Sequence, residues 1–278
     1  MKNHSSSIKP LRKLLGNRLK IEEGIRATHA QDISWHPALL PEAVCFPQST
    51  EEVSEIVKIC SGNKTPIVPF GAGTSLEGHI IPQKGGISLD LSQMDNILSV
   101  NSIDMDCVVE AGVKKLKLNE HLKKEGLFFA AGPNIDASLG GIAATAASGA
   151  NAVRFGTARE NFRALKIVTA TGEIMETGKR VKKNSAGYDL THLMIGSEGT
   201  LGIITELTAI LHPLPQHTAV AVVSFPHMDS AIQAALALVK EGLPLAMLEF
   251  MDETILEMVN TYCKTDYPCI PSLFLELH

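Results

Sequence analysis

Pro69-Phe70-Gly71-Ala72-Gly73-Thr74-Ser75-Leu76-Glu77-Gly78-His79 is the stretch on which the fold turns. It follows a short apolar strand signal, Pro66-Ile67-Val68-Pro69-Phe70, which is where a phosphate-cradling loop belongs. Glycines let several backbone N–H groups converge on an anion without a Cβ in the way, and Thr74 and Ser75 add hydroxyl donors. Two familiar nucleotide templates fail. A G-x-G-x-x-G fingerprint from Gly71 needs glycine where Leu76 stands, and a P-loop from Gly73 needs Lys-Ser/Thr where His79-Ile80 stands. The loop is therefore neither a standard nicotinamide-binding turn nor that of a nucleotide triphosphatase. A purely structural tight loop is the competing reading.

Two further segments share its texture. Residues 130–152 hold nine alanines and four glycines in twenty-three positions. Within them Asp136-Ala137-Ser138-Leu139-Gly140-Gly141 reads as a capped helix start, with Asp136 or Ser138 as the cap. Small side chains there allow a flat or extended ligand to lie on the backbone, although close helix–sheet packing selects the same residues. The third segment, Gly196-Ser197-Glu198-Gly199-Thr200-Leu201-Gly202-Ile203-Ile204, sets three glycines before a buried strand. Three such loops in one domain share one reading, a long groove for an extended anionic cofactor.

Around these loops the pattern alternates strand and helix. An extended segment at Ala43–Pro47 leads to a helix capped by Ser49 or Thr50, with Val53, Ile56, Val57 and Cys60 on its buried face. Strand signals follow at Ile87–Leu91, Cys107–Ala111, Leu165–Thr169, Glu173–Thr177 and Gly202–Leu211, and a helix runs over Lys117–Lys124 to stop at Gly126. After Pro213 and Pro215 a second unit begins: strands at Ala219–Phe225, Leu245–Met251 and Leu273–Leu277, helices at Met228–Glu241 and Glu253–Cys263. The expected division is an N-terminal helical segment over 1–38, a main domain over 39–215 and an incomplete C-terminal unit over 216–278. No internal repeat occurs at solenoid periods.

Composition narrows the class. At 278 residues, 45% hydrophobic and 20% charged, the chain is globular rather than disordered, and a net charge of −5 argues against nucleic acid held by general electrostatics. Five scattered cysteines without a C-x-x-C point to a reducing compartment. No apolar stretch is long enough to span a membrane, and no apolar signal-peptide core follows Met1. The first twenty residues carry Lys2, Lys9, Arg12, Lys13, Arg18 and Lys20 before the first acid, with Ile8, Leu11, Leu14, Leu15 and Leu19 on one helical face. That is either a helix docked on the body with its lysines in water or a targeting or membrane-surface helix.

The Pro69–Gly78 run resembles the flavin-binding domain of the vanillyl-alcohol-oxidase/PCMH family. So do Ala147–Arg159, Ala186-Gly187-Tyr188-Asp189-Leu190 and Gly196–Thr205. Within that family the chain is most similar to the D-lactate dehydrogenase (cytochrome) and glycolate oxidase flavoprotein-subunit branch. The resemblance implies an α+β fold: an FAD-binding domain of two α/β subdomains, followed by the start of an α+β cap. It implies that Gly71, Ala72, Gly73, Thr74 and Ser75 hold the FAD pyrophosphate, with Phe70 also at the cofactor. Pro133, Asp136, Ser138, Gly141, Ser148 and Gly149 match positions around the flavin, and Glu198, Gly199 and Ile203 fall near its adenine half or isoalloxazine edge. Some relatives attach flavin through a histidine in the first loop; Thr74-Ser75-Leu76 stands there in this chain, so noncovalent FAD is expected, with His79 structural or groove-lining.

The implied activity is oxidation of a D-2-hydroxy acid, D-lactate foremost, to the 2-oxo acid, with electrons leaving to a cytochrome or quinone. In the family a histidine- and glutamate-rich site for a divalent metal and the hydroxy acid lies beyond a segment like Leu273–His278. No H-x-x-x-H or His/Glu cluster stands in this sequence, so no metal ligand and no catalytic residue is assigned. In this reading another chain completes the cap; an FAD-binding but catalytically incomplete split subunit or remnant is the alternative, as is a glycolate oxidase flavoprotein subunit. His29, His36, His212 and His217 read as structural or surface residues. Arg154 and Arg159 either face the ligand or serve the scaffold, and Lys179, Arg180, Lys182 and Lys183 form a solvated basic loop. The expected location is cytoplasmic or peripheral to the inner membrane, and mitochondrial in a eukaryote.

Overall fold

A computed structural model describes residues 5–278; Met1 and Lys2 of the basic N-terminal segment lie outside the described residues. The fold is α+β and carries its strands in separate sheets. The first is four-stranded in the spatial order Leu19–Lys20, Ala43–Cys45, Ile87–Asp90, Ile67–Phe70. Its last three strands are parallel and Leu19–Lys20 runs antiparallel. Ile67–Phe70 is an edge strand, and Pro69, which has no N–H to donate, is tolerated there. The second sheet is five-stranded and wholly antiparallel, in the order Ile97–Asn101, Asp106–Glu110, Ile203–Ile210, Phe162–Val168, Ile174–Glu176.

The helix Thr50–Gly62 packs against the five-stranded sheet and the helix Ser5–Leu15. Ser49 caps it by accepting from the Glu52 N–H, and Val53, Ile56, Val57 and Cys60 are buried as their spacing predicts. Ser49→Ala should lower stability by about 1 kcal/mol, read as a shift in the denaturant midpoint at constant slope.

The N-terminal leucine face is part of the core. Helix Ser5–Leu15 buries Leu11 and Leu15, and Leu19 is likewise fully enclosed in the main hydrophobic cluster. Lys9 and Lys13 remain exposed, and Arg18 makes a two-pronged bridge to Glu52 at 2.5 and 2.6 Å. The docked-helix reading therefore describes this segment. Among the described residues, no helix is long and apolar enough to cross a membrane.

The last unit is a three-stranded antiparallel sheet, Ala219–Ser224, Ser272–Leu277, Leu245–Met251 in spatial order, with helices Met228–Lys240 and Glu253–Cys263. Ala231, Leu245, Leu273 and Leu275 form a small core of its own. It meets the main body where Arg154 donates to the carbonyls of Pro244 and His278 at 3.0 and 3.3 Å.

Candidate functional site

Three small-residue segments converge on one groove enclosing about 900 Å³, its open mouth included. The first segment leaves the edge strand at Phe70 and supplies Phe70, Gly71, Ala72, Gly73, Thr74 and Ser75 to the wall. It turns on Gly73, whose φ of +68° is left-handed, and a Cβ there would stand 2.9 Å from the Phe70 ring. At Gly71 a Cβ would stand 2.3 Å from Ser138 Oγ. Both glycines are dictated by close approach, and what they leave bare is backbone.

The second segment folds as a helix of one and a half turns, Leu139–Ala144. Its cap is Ser138, which accepts from the Gly141 N–H; Asp136 does not cap it. Pro133, Ser138 and Gly141 line the groove, joined by Ile135, Ala144 and Ala147. The third segment is stitched to this helix: Gly196 N–H donates to the Ala143 carbonyl at 3.0 Å and Glu198 N–H to the Ala144 carbonyl at 2.9 Å. Glu198, Gly199 and Ile203 then face the groove.

Of the residues singled out in the sequence, Asp136, Ser148 and Gly149 do not line the groove. Gly149 instead abuts backbone, since a Cβ would lie 2.2 Å from the Gly132 carbonyl oxygen. Asp136 pairs with Lys114 at 3.4 Å. Sequence reasoning missed the apolar floor, Ile80, Leu91 and Ala111, which lines the groove. These residues come from three different loops, and nothing in their local pattern separates them from ordinary core.

The electrostatics of the wall are spare. Among the described lining residues the titratable ones are His79 and Glu198. His79 Nδ1 lies 3.1 Å from Ser75 Oγ and 3.6 Å from Glu198 Oε2. Glu198 has φ +50°, a left-handed conformation rare for a non-glycine residue, and burial together with a hydrogen bond to Glu77 raises its pKa. The sequence shows no His/Glu cluster of metal-ligand spacing; in space, three such side chains come together. One ligand atom each of Glu77, His79 and Glu198 lie within 4.8 Å of one another. Glu77 and His79 are near in sequence, but Glu198 arrives from the far loop.

The histidines, arginines and cysteines singled out in the sequence, His79 apart, lie outside the groove wall. His29 pairs with buried Asp90, and His36 stacks on Trp35. His212 bonds Asn161 at 3.0 Å, and burial followed by the charge of Arg154 lowers its pKa. His217 is exposed. Arg154 serves the contact with the last sheet, while Arg159 donates to the His192 carbonyl at 3.1 Å; neither lines the groove. In the basic loop Arg180 binds Asp104 and Asp106 at 3.1 and 2.7 Å. All five cysteines are free, and burial pushes the Cys60 and Cys107 thiols up to about 12. None of them lines the groove.

Lys115 is a buried cation of another kind. Its Nζ donates to the carbonyls of Ala130, Gly132 and Pro133 at 3.4, 3.0 and 3.3 Å, and burial lowers its pKa. It fastens the loop that carries Pro133 and Ile135 into the groove wall.

Known proteins share this architecture. Residues 41–178 match the FAD binding domain family, and residues 214–278 match the C-terminal domain of FAD linked oxidases. A protein named probable D-lactate dehydrogenase, mitochondrial, from Danio rerio is 43% identical over 94% of this chain and 53% of its own length. The D-lactate dehydrogenase (cytochrome), mitochondrial, of Arabidopsis thaliana is 42% identical over 97% of this chain and 48% of its own. The chain thus spans about half the length of the curated relatives it matches. A solved alkyldihydroxyacetonephosphate synthase superposes with a TM-score of 0.84 at 25% identity, over 99% of this chain and 56% of that one.

Proposed function

Given that the chain belongs to the family of FAD-binding, PCMH-type oxidases, and is thereby an FAD-linked oxidoreductase related to D-lactate dehydrogenases, we propose that it binds FAD noncovalently in the groove. We further propose that it oxidises a D-2-hydroxy acid, D-lactate foremost, to the 2-oxo acid. The observation that carries this reading is the groove itself, whose wall is built from bare glycine, alanine and serine backbone of three loops. FAD fits those residues because the groove they bound is lined with small side chains, among them Gly71, Ala72, Gly73, Gly141, Ala144 and Gly199, that let an extended ligand lie on the backbone.

In this reading, residues Phe70–Ser75 hold the diphosphate through backbone N–H groups and the Thr74 and Ser75 hydroxyls. Pro133, Ser138 and Gly141 form one wall for the extended ligand; Glu198, Gly199 and Ile203 form the other. Leu91, Ile142 and Ile204 exclude water from the floor. FAD, when bound, supplies the acceptor for a hydride from the α-carbon of the hydroxy acid. No residue of this chain is assigned as the base that takes the hydroxyl proton. The catalytic work divides between an FAD-binding domain over 39–215 and a substrate-facing unit beginning at 216. Electrons pass on to a cytochrome or quinone. The names of the Danio and Arabidopsis relatives support a mitochondrial location if the chain is eukaryotic.

Noncovalent binding is supported by the wall, which contains no cysteine or tyrosine and one histidine, His79, already engaged with Ser75. Acid precipitation of the loaded protein should leave the flavin in the supernatant; yellow colour retained in the pellet would contradict it.

One observation favours a second reading, in which the chain binds FAD without turning over substrate: the described groove wall offers no lysine or arginine to hold a substrate carboxylate. Anaerobic mixing of the loaded protein with D-lactate and, separately, L-lactate decides. Bleaching of the flavin band by D-lactate alone supports the oxidase reading. An unchanged spectrum with both overturns it in favour of the second.

A further inference from the structure

At the end of the groove where the first and third loops meet, Glu77 and Glu198 stand together, with His79 the ionisable base of the groove wall beside them. Glu198 faces the cavity with its side chain one-third exposed, and Glu77, at the solvent side, hydrogen-bonds to it. No lysine or arginine lines the groove among the described residues. The same loop, through Thr74 and Ser75, holds a dianionic diphosphate in the flavin reading, on which this charge argument rests. Two carboxylates beside a diphosphate in a half-enclosed site are costly unless a positive charge stands among them.

The side chains around that point form a mixed donor set. A ring nitrogen of His79 and one oxygen each of Glu77 and Glu198 lie within 4.8 Å of one another. First-row ions bind histidine nitrogen and carboxylate oxygen at about 2.0–2.2 Å, so ligand atoms around one ion stand roughly 3–4.4 Å apart. The observed spread closes on an ion with small side-chain rotations. Imidazole with two carboxylates is a set suited to zinc or manganese rather than to a soft or purely oxygen-seeking ion. His79 is mostly buried, with its ring steadied by Ser75 Oγ at 3.1 Å, whereas Glu77 is exposed and leaves the ion a route from solvent. The Gly78 N–H donates to Asp32 Oδ2 at 2.7 Å, which pins the turn between the Glu77 and His79 ligands.

We propose that Glu77, His79 and Glu198 form a divalent-cation site of the zinc or manganese class at the diphosphate end of the groove. The ion joins the first loop to the third and offsets the charge that the carboxylates bring to a bound diphosphate. Its loss leaves the loops in place but weakens the grip on the dinucleotide.

The probe is Mn²⁺ added to the purified protein, with free ion measured by its solution paramagnetic resonance signal and FAD binding measured separately by absorbance. One Mn²⁺ per chain is expected, displaced by Zn²⁺, with Glu77→Gln and His79→Gln each weakening it by about tenfold or more. FAD affinity should rise with added Mn²⁺ in the unaltered protein and not in Glu77→Gln. Because Glu77 is exposed, its glutamine variant should fold, and an unchanged circular dichroism spectrum checks this. Absence of Mn²⁺ binding in a protein that takes up FAD overturns the cation site and leaves the flavin reading standing. Mn²⁺ binding of equal strength in the unaltered protein and both variants also overturns it. Specific Mn²⁺ binding in a protein that takes up no FAD supports the site and contradicts the flavin reading.

Discussion

Gly73→Val should yield a colourless protein: flavin retention falls by at least about a hundredfold, while circular dichroism still reports the native α+β content. Two separate costs produce this result. Position 73 has φ +68°, and a left-handed backbone costs an ordinary L-residue roughly 1–2 kcal/mol, with a β-branched side chain at the high end. The first side-chain atom would also stand 2.9 Å from the Phe70 ring, closer than van der Waals contact allows. Phe70 is buried and packed against the tilted His29 ring at a centroid distance of 4.3 Å, so its ring has little room to give. The loop must therefore open, and the backbone N–H groups proposed to hold the diphosphate disperse. Gly62→Val is the control. That position is the exposed last residue of the helix Thr50–Gly62, where a Cβ meets nothing within 4 Å. It should keep the flavin.

The second large effect lies behind the same loop. Asp90→Ala should destabilise the fold by about 3–5 kcal/mol, because it leaves a buried histidine without its counter-ion. His29 Nε2 lies 2.8 Å from Asp90 Oδ2, and its Nδ1 lies 2.8 Å from the Ile25 carbonyl oxygen. Both neighbours accept hydrogen bonds, so the ring is best matched with a proton on each nitrogen. Burial opposes that charge, yet the Asp90 and Ile25 hydrogen bonds and the Asp90 charge prevail and raise the His29 pKa. A raised pKa means the folded state holds the proton more tightly than the unfolded chain does. The stabilisation is then fully present below the unfolded value of about 6.5 and lost as pH rises through the folded value. Denaturant midpoints from about pH 6 to about pH 9 should fall with rising pH in the unaltered protein and flatten in Asp90→Ala. A midpoint unchanged by the substitution at pH 6 would show that the pair carries no such energy.

The sequence made the loops legible for a physical reason. Gly71, Gly73 and Gly199 stand where a Cβ would collide with the side chain of Ser138, Phe70 or Pro69, and no other residue type meets that need cheaply. Strands and helices with one buried face were equally readable; Leu245–Met251 and Glu253–Cys263 end where their apolar pattern ends. The edge strand Ile97–Asn101 went unread because its residues are exposed or half-buried and show no clean alternation. Whether the basic start docked on the body could not be read locally either. Leu11, Leu15 and Leu19 look alike for a core helix and for a membrane-surface one, and only the partner surface distinguishes them.

What the sequence hid most completely is proximity across distant loops. Glu77 and His79 gave no sign that Glu198 would meet them, since that contact depends on the third loop being tied to the helix Leu139–Ala144. The same holds for the hydrophobic floor of the groove, where Leu91 and Ala111 come from loops of different sheets.

The claim on which the rest stands is that this groove holds FAD. Purified protein should be titrated with FAD under gel-filtration equilibrium and the flavin spectrum recorded on the eluted peak. One FAD per chain, with band structure sharpened relative to free flavin and lost in Gly73→Val, is the predicted result. A peak that elutes without flavin absorbance at saturating FAD would contradict the account.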